Sequence, residues 1–530
     1  MIDNCGGAAA NKLTGEIGME KLMQEFREDM AEFRDITEKF YAKEVSMKEY
    51  KGFSGGFGSY AQKGGEASML RLRMPGGRLT KEKLKFVADA IAEYGVEKAH
   101  FTTCQTIQFH NLGAEAVCGI MEKALDVGIV TRGGGGDFPR NVMVSPLSGV
   151  EQGEYFDVLP YAEAASDYLM GFIKTVKMPR KLKVGFSNSP ANETHATFRD
   201  LGFVAKADGT FDVYSAGGLG NNPRMGVKVA EQVPPTEILY YIKAMVNTFV
   251  AHGNYENRGK ARTRYMQESL GVDGYKAAYL EKLAEVKKSE KLDIDVTAEA
   301  VAKSGNGTTV SDKRVTAQKQ DGLYAVAYHP IGGIPAVTKF AQLYETIKDM
   351  EAVEVRIAPD ETIYIINLNG DEAKAVLAVT DDGAQNLFET SVSCIGATIC
   401  QIGLRDSQGA LRQIIDEVRK HDFADGVLPR IHISGCTSSC GTHQIGTLGF
   451  HGGAKRVDGV LEPAFTFHVN GSDTEGEERF GEQWGMMLQK DMPAFFVELG
   501  QTIQAEGTTF DAWFAKKPEA LKEIAGKYLY

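Results

Sequence analysis

The chain has 530 residues, 43% of them hydrophobic and 25% charged, with a formal net charge of −12. That length is too great for one hydrophobic core and predicts several domains of ordinary globular composition. The acidic balance argues against broad nucleic-acid binding, and no apolar run reaches the roughly 20 residues that span a bilayer.

The first segment, "MIDNCGGAAANKLTGEIGMEKLMQEF", lacks the basic and apolar regions of a secretory leader, which predicts a cytoplasmic location. Seven cysteines, an odd and sparse set, argue against a secreted disulfide framework. Residues 1–60 read as an N-terminal extension.

From Met69 to Leu112 the chain reads "MLRLRMPGGRLTKEKLKFVADAIAEYGVEKAHFTTCQTIQFHNL", and this matches Ala325 to Leu368 without a gap. The offset is 256 residues (Gly332 against Gly76), and Gly77, Thr106, Ile107, Asn111 and Leu112 find identical partners at the same offset. Both copies read as strand, Gly-Gly turn, helix, strand and helix. That order suits a small α+β unit with its helices on one face of a sheet, and it indicates duplication. The expected units are residues 61–125 and 317–385. Arg71 and Arg73 of the first copy face Ala327 and His329 in the second, so the cations belong to one copy only.

Between the copies, residues 126–316 read as a longer α/β domain ending in a polar, charge-mixed surface linker. Residues 386–530 form a last domain that holds four of the seven cysteines. Cys394 and Cys400 are separated by five residues, Cys436 and Cys440 by three, with an amphipathic helical pattern between the pairs. Disulfides are disfavoured by the compartment. Structural zinc prefers two to four intervening residues, whereas an iron–sulfur cluster tolerates varied spacing and gains from small neighbours such as Gly396, Gly435 and Gly441. Spacing favours a cluster and leaves zinc open.

The order of motifs is similar to that of the siroheme-containing sulfite and nitrite reductases. "LRLRMPGG", "TTCQTIQFH", "GDFPRNV", "PRKLK" and the paired cysteines ending in "GCTSSCG" each resemble a segment of that family, over nearly the whole chain. The resemblance implies duplicated ferredoxin-like half-domains in pseudo-twofold arrangement, an α+β and α/β architecture with siroheme-binding and cluster-bearing domains. It implies a [4Fe–4S] cluster on Cys394, Cys400, Cys436 and Cys440, with Cys440 bridging to the siroheme iron. It implies oxyanion-binding and catalytic roles for Arg71, Arg140, Lys181 and Lys183. Cofactor contacts are expected from Thr103, Cys104, Gln105, Gln108, Arg132, Asn141, Gly217, Gly218 and Gly220. The family's activity is six-electron reduction of sulfite to sulfide, or of nitrite to ammonia, with electrons from a separate ferredoxin or flavoprotein. Because the second lysine, Lys183, stands where nitrite reductases of the family tend to carry Asn, sulfite is the expected substrate. A non-catalytic electron carrier and a zinc-stabilised scaffold are the readings outside this class.

Two departures stand out. Cys104 occupies the place of an arginine that contacts siroheme carboxylates, and a thiol cannot replace a bidentate guanidinium. Either a neighbour such as Arg132 substitutes or the tetrapyrrole has a changed substituent or seating, and Cys104 itself is expected to be inert packing. In "GCTSSCG", Thr437 and Ser438 replace the usual Pro and Asn. "GGGG" at 133–136 lacks the ending of a phosphate-binding loop, and "SAGGLGNNP" lacks dinucleotide-binding spacing. Arg258, Arg262 and Arg264 read either as carboxylate ligands or as one solvated helical face. His110, His432 and His443 carry no assignment, and Cys5 and Cys118 look incidental.

Overall fold

The computed structural model describes residues 18–530; Cys5 lies outside them. Two copies of a two-module unit make up the chain. The first module of each copy is a small antiparallel half-sheet. One runs in the order Ser59–Ala61, Ser68–Arg73, Thr106–Leu112, Lys98–Phe101. The other runs Val315–Ala317, Tyr324–Tyr328, Ile363–Leu368, Glu354–Ile357, with Arg78–Leu79 of the first copy added at its edge.

Registers agree as closely as the order. Leu72 pairs with Ile107 as Tyr328 pairs with Ile363, and both sheets carry a bulge one residue into the second strand. Asn111 and Asn367 both take positive φ, and each is held by a glutamine, Gln62 or Gln318, at 2.9 and 3.0 Å. Helices Lys81–Tyr94 and Thr338–Ile347 pack together, so one apolar core serves both half-sheets. At the Gly-Gly turns, a Cβ on Gly77 would strike the Ile357 carbonyl and one on Gly333 the Phe101 carbonyl. Two positive-φ glycines per turn are therefore required on steric grounds as well as conformational ones.

The duplication goes further than the sequence suggests. The second modules are mixed five-stranded sheets of one topology: two parallel pairings followed by two antiparallel ones. The first comprises Met143–Val144, Val184–Ser187, Leu201–Ala205, Phe211–Ser215 and Val227–Val233. The second comprises Val392–Ser393, Ile431–Ser434, Leu448–Val457, Val460–Val469 and Glu482–Leu488. Val184 pairs with Leu201 as Ile431 pairs with Leu448. Asn192 and Ser439 share positive φ, as do His195 and Thr442. Gly202 and Gly449 abut the carbonyls of Ala196 and His443 respectively. The loop from Ser434 to Thr447, which bears Cys436 and Cys440, is thus the counterpart of the loop from Ser187 to Asp200. Each sheet has its own core.

Three local expectations are corrected. "AHFTTCQTIQF" is a hairpin, not one strand: the turn at Thr102–Gln105 closes by Thr102 N–H to Thr106 O at 3.0 Å, and Gln105 takes a φ of 54°. Arg258 and Arg264 lie in short 3₁₀ turns, Arg258–Lys260 and Thr263–Tyr265, and Arg262 is the extended residue before the second, so the three share no helical face. The segment "GTTFDAWFAKKPEALKEIAGKYLY", whose pattern predicts one capped terminal helix, is two helices, Phe510–Lys516 and Pro518–Gly526, because Pro518 supplies no N–H to the preceding turn. Among the described residues no helix is long and apolar enough to cross a membrane.

Candidate active site

A deep cleft lies where the first half-sheet, the first mixed sheet and the cysteine loop meet. Leu182 bridges to Pro139 and is fully buried in the core of the first mixed sheet. Alternation therefore turns its neighbours Lys181 and Lys183 the other way, into the cleft. Burial, then Arg262, Lys183 and Arg140, push the Lys181 ammonium well below its ordinary value. Burial likewise lowers Lys183, with Cys104 opposing part of the shift.

Arg71 and Arg73 separate cleanly. Arg73 is buried and donates to the carbonyls of Arg132, Pro139 and Arg140, at 2.9, 3.3 and 3.1 Å, so it braces the loop. Arg71 enters the cleft, donating to the Gly134 carbonyl. Gln108, with its amide oxygen turned to the guanidinium, accepts from Arg71 Nε at 3.1 Å and Nη2 at 2.6 Å. Arg140 donates to the carbonyls of Gly133 (2.8 Å), Gly135 and Gly136 (2.8 Å). The four-glycine run is thus an acceptor loop for two arginines. It needs glycine because a Cβ on Gly135 would strike the Gly55 carbonyl. Burial, then Arg71, bring Arg140 down to about 9, leaving it charged at neutral pH.

Cys104 sits on the hairpin turn at the cleft wall, half-buried. Burial alone would push its thiol up, but Lys183, Arg199 and Arg71 together outweigh it and bring the thiol down to about 6. The expectation of inert packing is corrected: three cations face this sulfur. Arg132 does not reach it. That guanidinium pairs with Asp29 at 3.1 Å and lies 4.0 Å from the Phe57 ring centroid. The cation beside Cys104 is Arg199, which donates through Nε to Thr194 O at 2.7 Å and faces His195 Nδ1 at 3.0 Å. Arg199 lies in the loop from Ser187 to Asp200 in no motif, and only its place in the duplicated loop could have marked it.

Other expected residues form the frame. Both N–H groups of Gln105 go to backbone, Val144 O and Ile357 O at 2.7 Å each, joining the two half-sheets. Asn141 donates to Met74 O, Cys104 O and Gln105 O. Thr103 Oγ1 donates to Cys440 O at 2.8 Å, tying the hairpin to the cysteine loop. Gly220 exchanges two hydrogen bonds with Gln444, at 2.7 and 3.0 Å, so the Gly217–Gly220 segment also docks on that loop. Asp200, fully buried and missed by sequence reading, accepts from Arg262 at 3.0 and 3.1 Å, from Thr263 Oγ1, and from the Lys183 N–H at 2.8 Å. It fixes Arg262 and the lysine strand together. Arg258, by contrast, pairs with Asp137 at the surface.

The four thiols Cys394, Cys400, Cys436 and Cys440 come together as free cysteines beside the cleft. A tetrahedral zinc site with bonds of about 2.3 Å brings thiolates within about 4 Å of each other. Among the described residues no three of these sulfurs converge within 4.8 Å, the span that does collect three histidines elsewhere. The donor set, four thiols with no imidazole among them, is that of an iron–sulfur cluster. Burial, then Cys440, push the Cys394 thiol up to about 12, against the Gly435 N–H that donates to its sulfur at 3.1 Å. Cys440 opens onto the cleft, yet burial still raises it, with Lys181 and Lys183 opposing. Cys394 and Cys440, both raised, ionise side by side only against a strongly positive centre.

Arg132 Nε, Arg224 Nε, Arg262 Nε and Arg264 Nη1 are buried donors without a partner. A ligand rich in carboxylates would satisfy such donors. Gly218 and Gly220, both at positive φ, lie against Arg264, where a side chain would crowd the approach.

Comparison with known proteins agrees with this chemistry. Residues 60–127 match the family description "Nitrite/Sulfite reductase ferredoxin-like half domain", and residues 135–287 match "Nitrite and sulphite reductase 4Fe-4S domain". The second match falls on the first mixed sheet, whereas the four thiols belong to the second copy; shared topology reconciles the two. A sulfite reductase (ferredoxin) 1 of Mycolicibacterium paratuberculosis is 24% identical, over 85% of this chain and 82% of its own length. An assimilatory ferredoxin-dependent nitrite reductase of Haloferax mediterranei is 25% identical, over 88% and 85%. The structure of the Mycobacterium tuberculosis NirA protein superposes with a TM-score of 0.74 at 22% identity, covering 91% of this chain and 93% of that one.

Proposed function

Because this chain belongs to the siroheme- and [4Fe–4S]-containing sulfite and nitrite reductases, we propose that its oxyanion is sulfite, bound by Arg71, Arg140, Lys181 and Lys183. As an enzyme of this family it uses both prosthetic groups. Siroheme coupled to the cluster would relay the donor's electrons and supply the metal at which sulfur is reduced. Cys394, Cys400, Cys436 and Cys440 would hold the cluster, with Cys440, the thiol that opens onto the cleft, nearest the siroheme side.

The observation that carries the substrate assignment is the lysine pair. Two ammonium groups and two guanidiniums converge on one cleft, a density of charge that favours a dianion over a monoanion. Gln108 holds Arg71 and the glycine carbonyls hold Arg140, so these two keep their geometry while substrate oxygens change charge. Lys181 and Lys183, both lowered by burial, are the groups placed to release protons as oxygens leave as water. Arg199, Arg262 and Arg264 would hold the carboxylates of the siroheme, with Arg199 standing in for the arginine absent at position 104. Thr103, Gln105 and Asn141 position the hairpin, and Gly217, Gly218 and Gly220 allow close approach. Residues 126–316 and 386–530 then act as the substrate side and the cluster side of one cleft.

The names of the relatives support a ferredoxin-class donor, a one-electron carrier from outside the chain. Steady-state turnover of the holoenzyme on sulfite and on nitrite, with reduced ferredoxin, tests the assignment. A higher kcat/KM for sulfite is expected, with Lys183→Asn shifting the ratio toward nitrite. A preference for nitrite in the unmodified enzyme overturns it.

A further inference from the structure

Behind the cysteine loop, outside the cleft, three histidines meet. His443 follows Cys440 on the loop, and His451 and His468 lie on the adjacent strands Leu448–Val457 and Val460–Val469. One ring nitrogen from each lies within 4.8 Å of the other two. The ring centroids are 4.8 to 5.0 Å apart, and His451 Nδ1 stands 2.8 Å from His468 Nε2. His443 and His468 are 1% and 2% exposed, while His451 is half-buried.

Hydrogen bonding within the trio pairs His451 with His468 and leaves His443 Nδ1 buried without a partner. Buried polar groups normally find partners, so this orphan facing two other imidazoles needs a reason. The fold does not supply it. In the first copy the same three positions are Ala196, Val204 and Tyr214, as the pairings Ser187–Val204 and Gly202–Tyr214 show against Ser434–His451 and Gly449–His468. The same backbone is filled there without a single imidazole.

We propose that His443, His451 and His468 bind one divalent transition-metal ion of the zinc class. Three neutral imidazoles with an open fourth position are a zinc donor set. Bonds of about 2.0–2.1 Å place the nitrogens about 3.3 Å apart, a few tenths of an ångström from the observed pair. No carboxylate is among the groups that perturb the three rings. Those facing His443 are His468, His451 and His432. The fourth position falls to water on the side where His451 reaches solvent. So bound, the ion staples the loop that carries Cys436 and Cys440 to the strand pair behind it, a structural tie separate from the redox groups.

Holoenzyme treated with a chelator, incubated with zinc chloride and gel-filtered tests this by zinc and iron analysis of one sample. About one zinc per chain is expected, with iron unchanged and nitrogen and oxygen but no sulfur coordination in the zinc X-ray absorption spectrum. The double variant His451→Ala/His468→Ala should lose the zinc and keep the iron. Zinc retained equally by that variant, or absent from fully iron-loaded wild type, overturns the proposal. Should the double variant not fold, His451→Gln at the half-exposed position decides instead: about tenfold weaker retention supports the site, and undiminished retention sinks it.

Discussion

The catalytic cleft has a twin. The pseudo-twofold that relates the two copies carries it onto a polar pocket of about 330 Å³ lined by Glu193, His195, Asp360, Tyr364, Arg430, His432 and Asp473. Position by position the two diverge in charge while keeping one backbone. Asp360 replaces Cys104, Tyr364 replaces Gln108, Ala327 replaces Arg71, and Glu193 stands where Cys440 stands in the cleft. Arg430 takes the place of Lys183 and is neutralised by Asp360 at 2.7 Å, and His195 is paired with Asp473 at 3.2 Å. The cleft keeps free cations and a thiol; the twin pairs its charges internally. Duplication thus supplied one backbone twice, and side chains alone decide that one cavity pairs its charges internally while the other keeps cations free.

That contrast can be broken at its strongest point. Replacing Cys440 by Ser should abolish turnover by more than about a thousandfold and lower bound iron, since a thiolate ligand is lost. Glu193→Gln, the same position in the twin, should leave turnover within about twofold. Turnover and iron per chain, measured side by side, check both halves. The lysine comparison comes next. Lys183→Met should cost about a hundredfold in kcat/KM, in the range of proton-transfer and charge-stabilising groups. Arg430→Met should leave kcat/KM alone and cost about 1 kcal/mol in denaturant unfolding, as a partly exposed ion pair does. Equal kinetic losses would show that the twin is not silent.

The twin also leaves a mark on stability. Burial, then Asp360 and Glu151, push the Glu193 carboxyl up to about 8 from the usual 4.5. The folded state therefore holds a proton there that the unfolded chain has released. This contribution is present below pH 4.5 and is lost as pH rises through about 8. Glu193→Gln removes the loss, so the variant should gain on the order of 1–3 kcal/mol over wild type at pH 8.5 and little at pH 4.5. Thermal melts at the two pH values, at equal cofactor content, measure it. A gain confined to the acid side would refute the assignment.

Much of this was legible in the chain. The half-sheet repeat could be read because Gly76, Gly77 and Asn111 keep backbone conformations that few residues accept, and selection by sterics leaves identities behind. The mixed-sheet repeat could not, because its registers are enforced by generic apolar alternation that any Val, Ile, Leu or Phe satisfies. For the same reason Arg199 and Asp200 were missed: they sit in a loop whose meaning comes only from its counterpart. Arg132 was misjudged because sequence proximity to the glycine run says nothing of Asp29 and Phe57, which hold it away from Cys104.

The smallest expected effect bears on the oddest residue of the cleft. Cys104 raises Lys183 toward its ordinary value, while Lys183 is the largest of the cations lowering Cys104. The two form a pair in which each stabilises the charge of the other. Removing the sulfur in Cys104→Ser takes away an anion and leaves burial unopposed. Lys183 then loses its proton at lower pH, and the alkaline limb of the kcat/KM profile should move in the acid direction. At the optimum the rate should fall by less than about tenfold, because the lysine remains in place and only its titration changes. A profile that keeps its alkaline limb would show that the thiol is neutral once the carboxylates of the tetrapyrrole occupy Arg199, and that Lys183 is tuned by the ligand instead of by the protein.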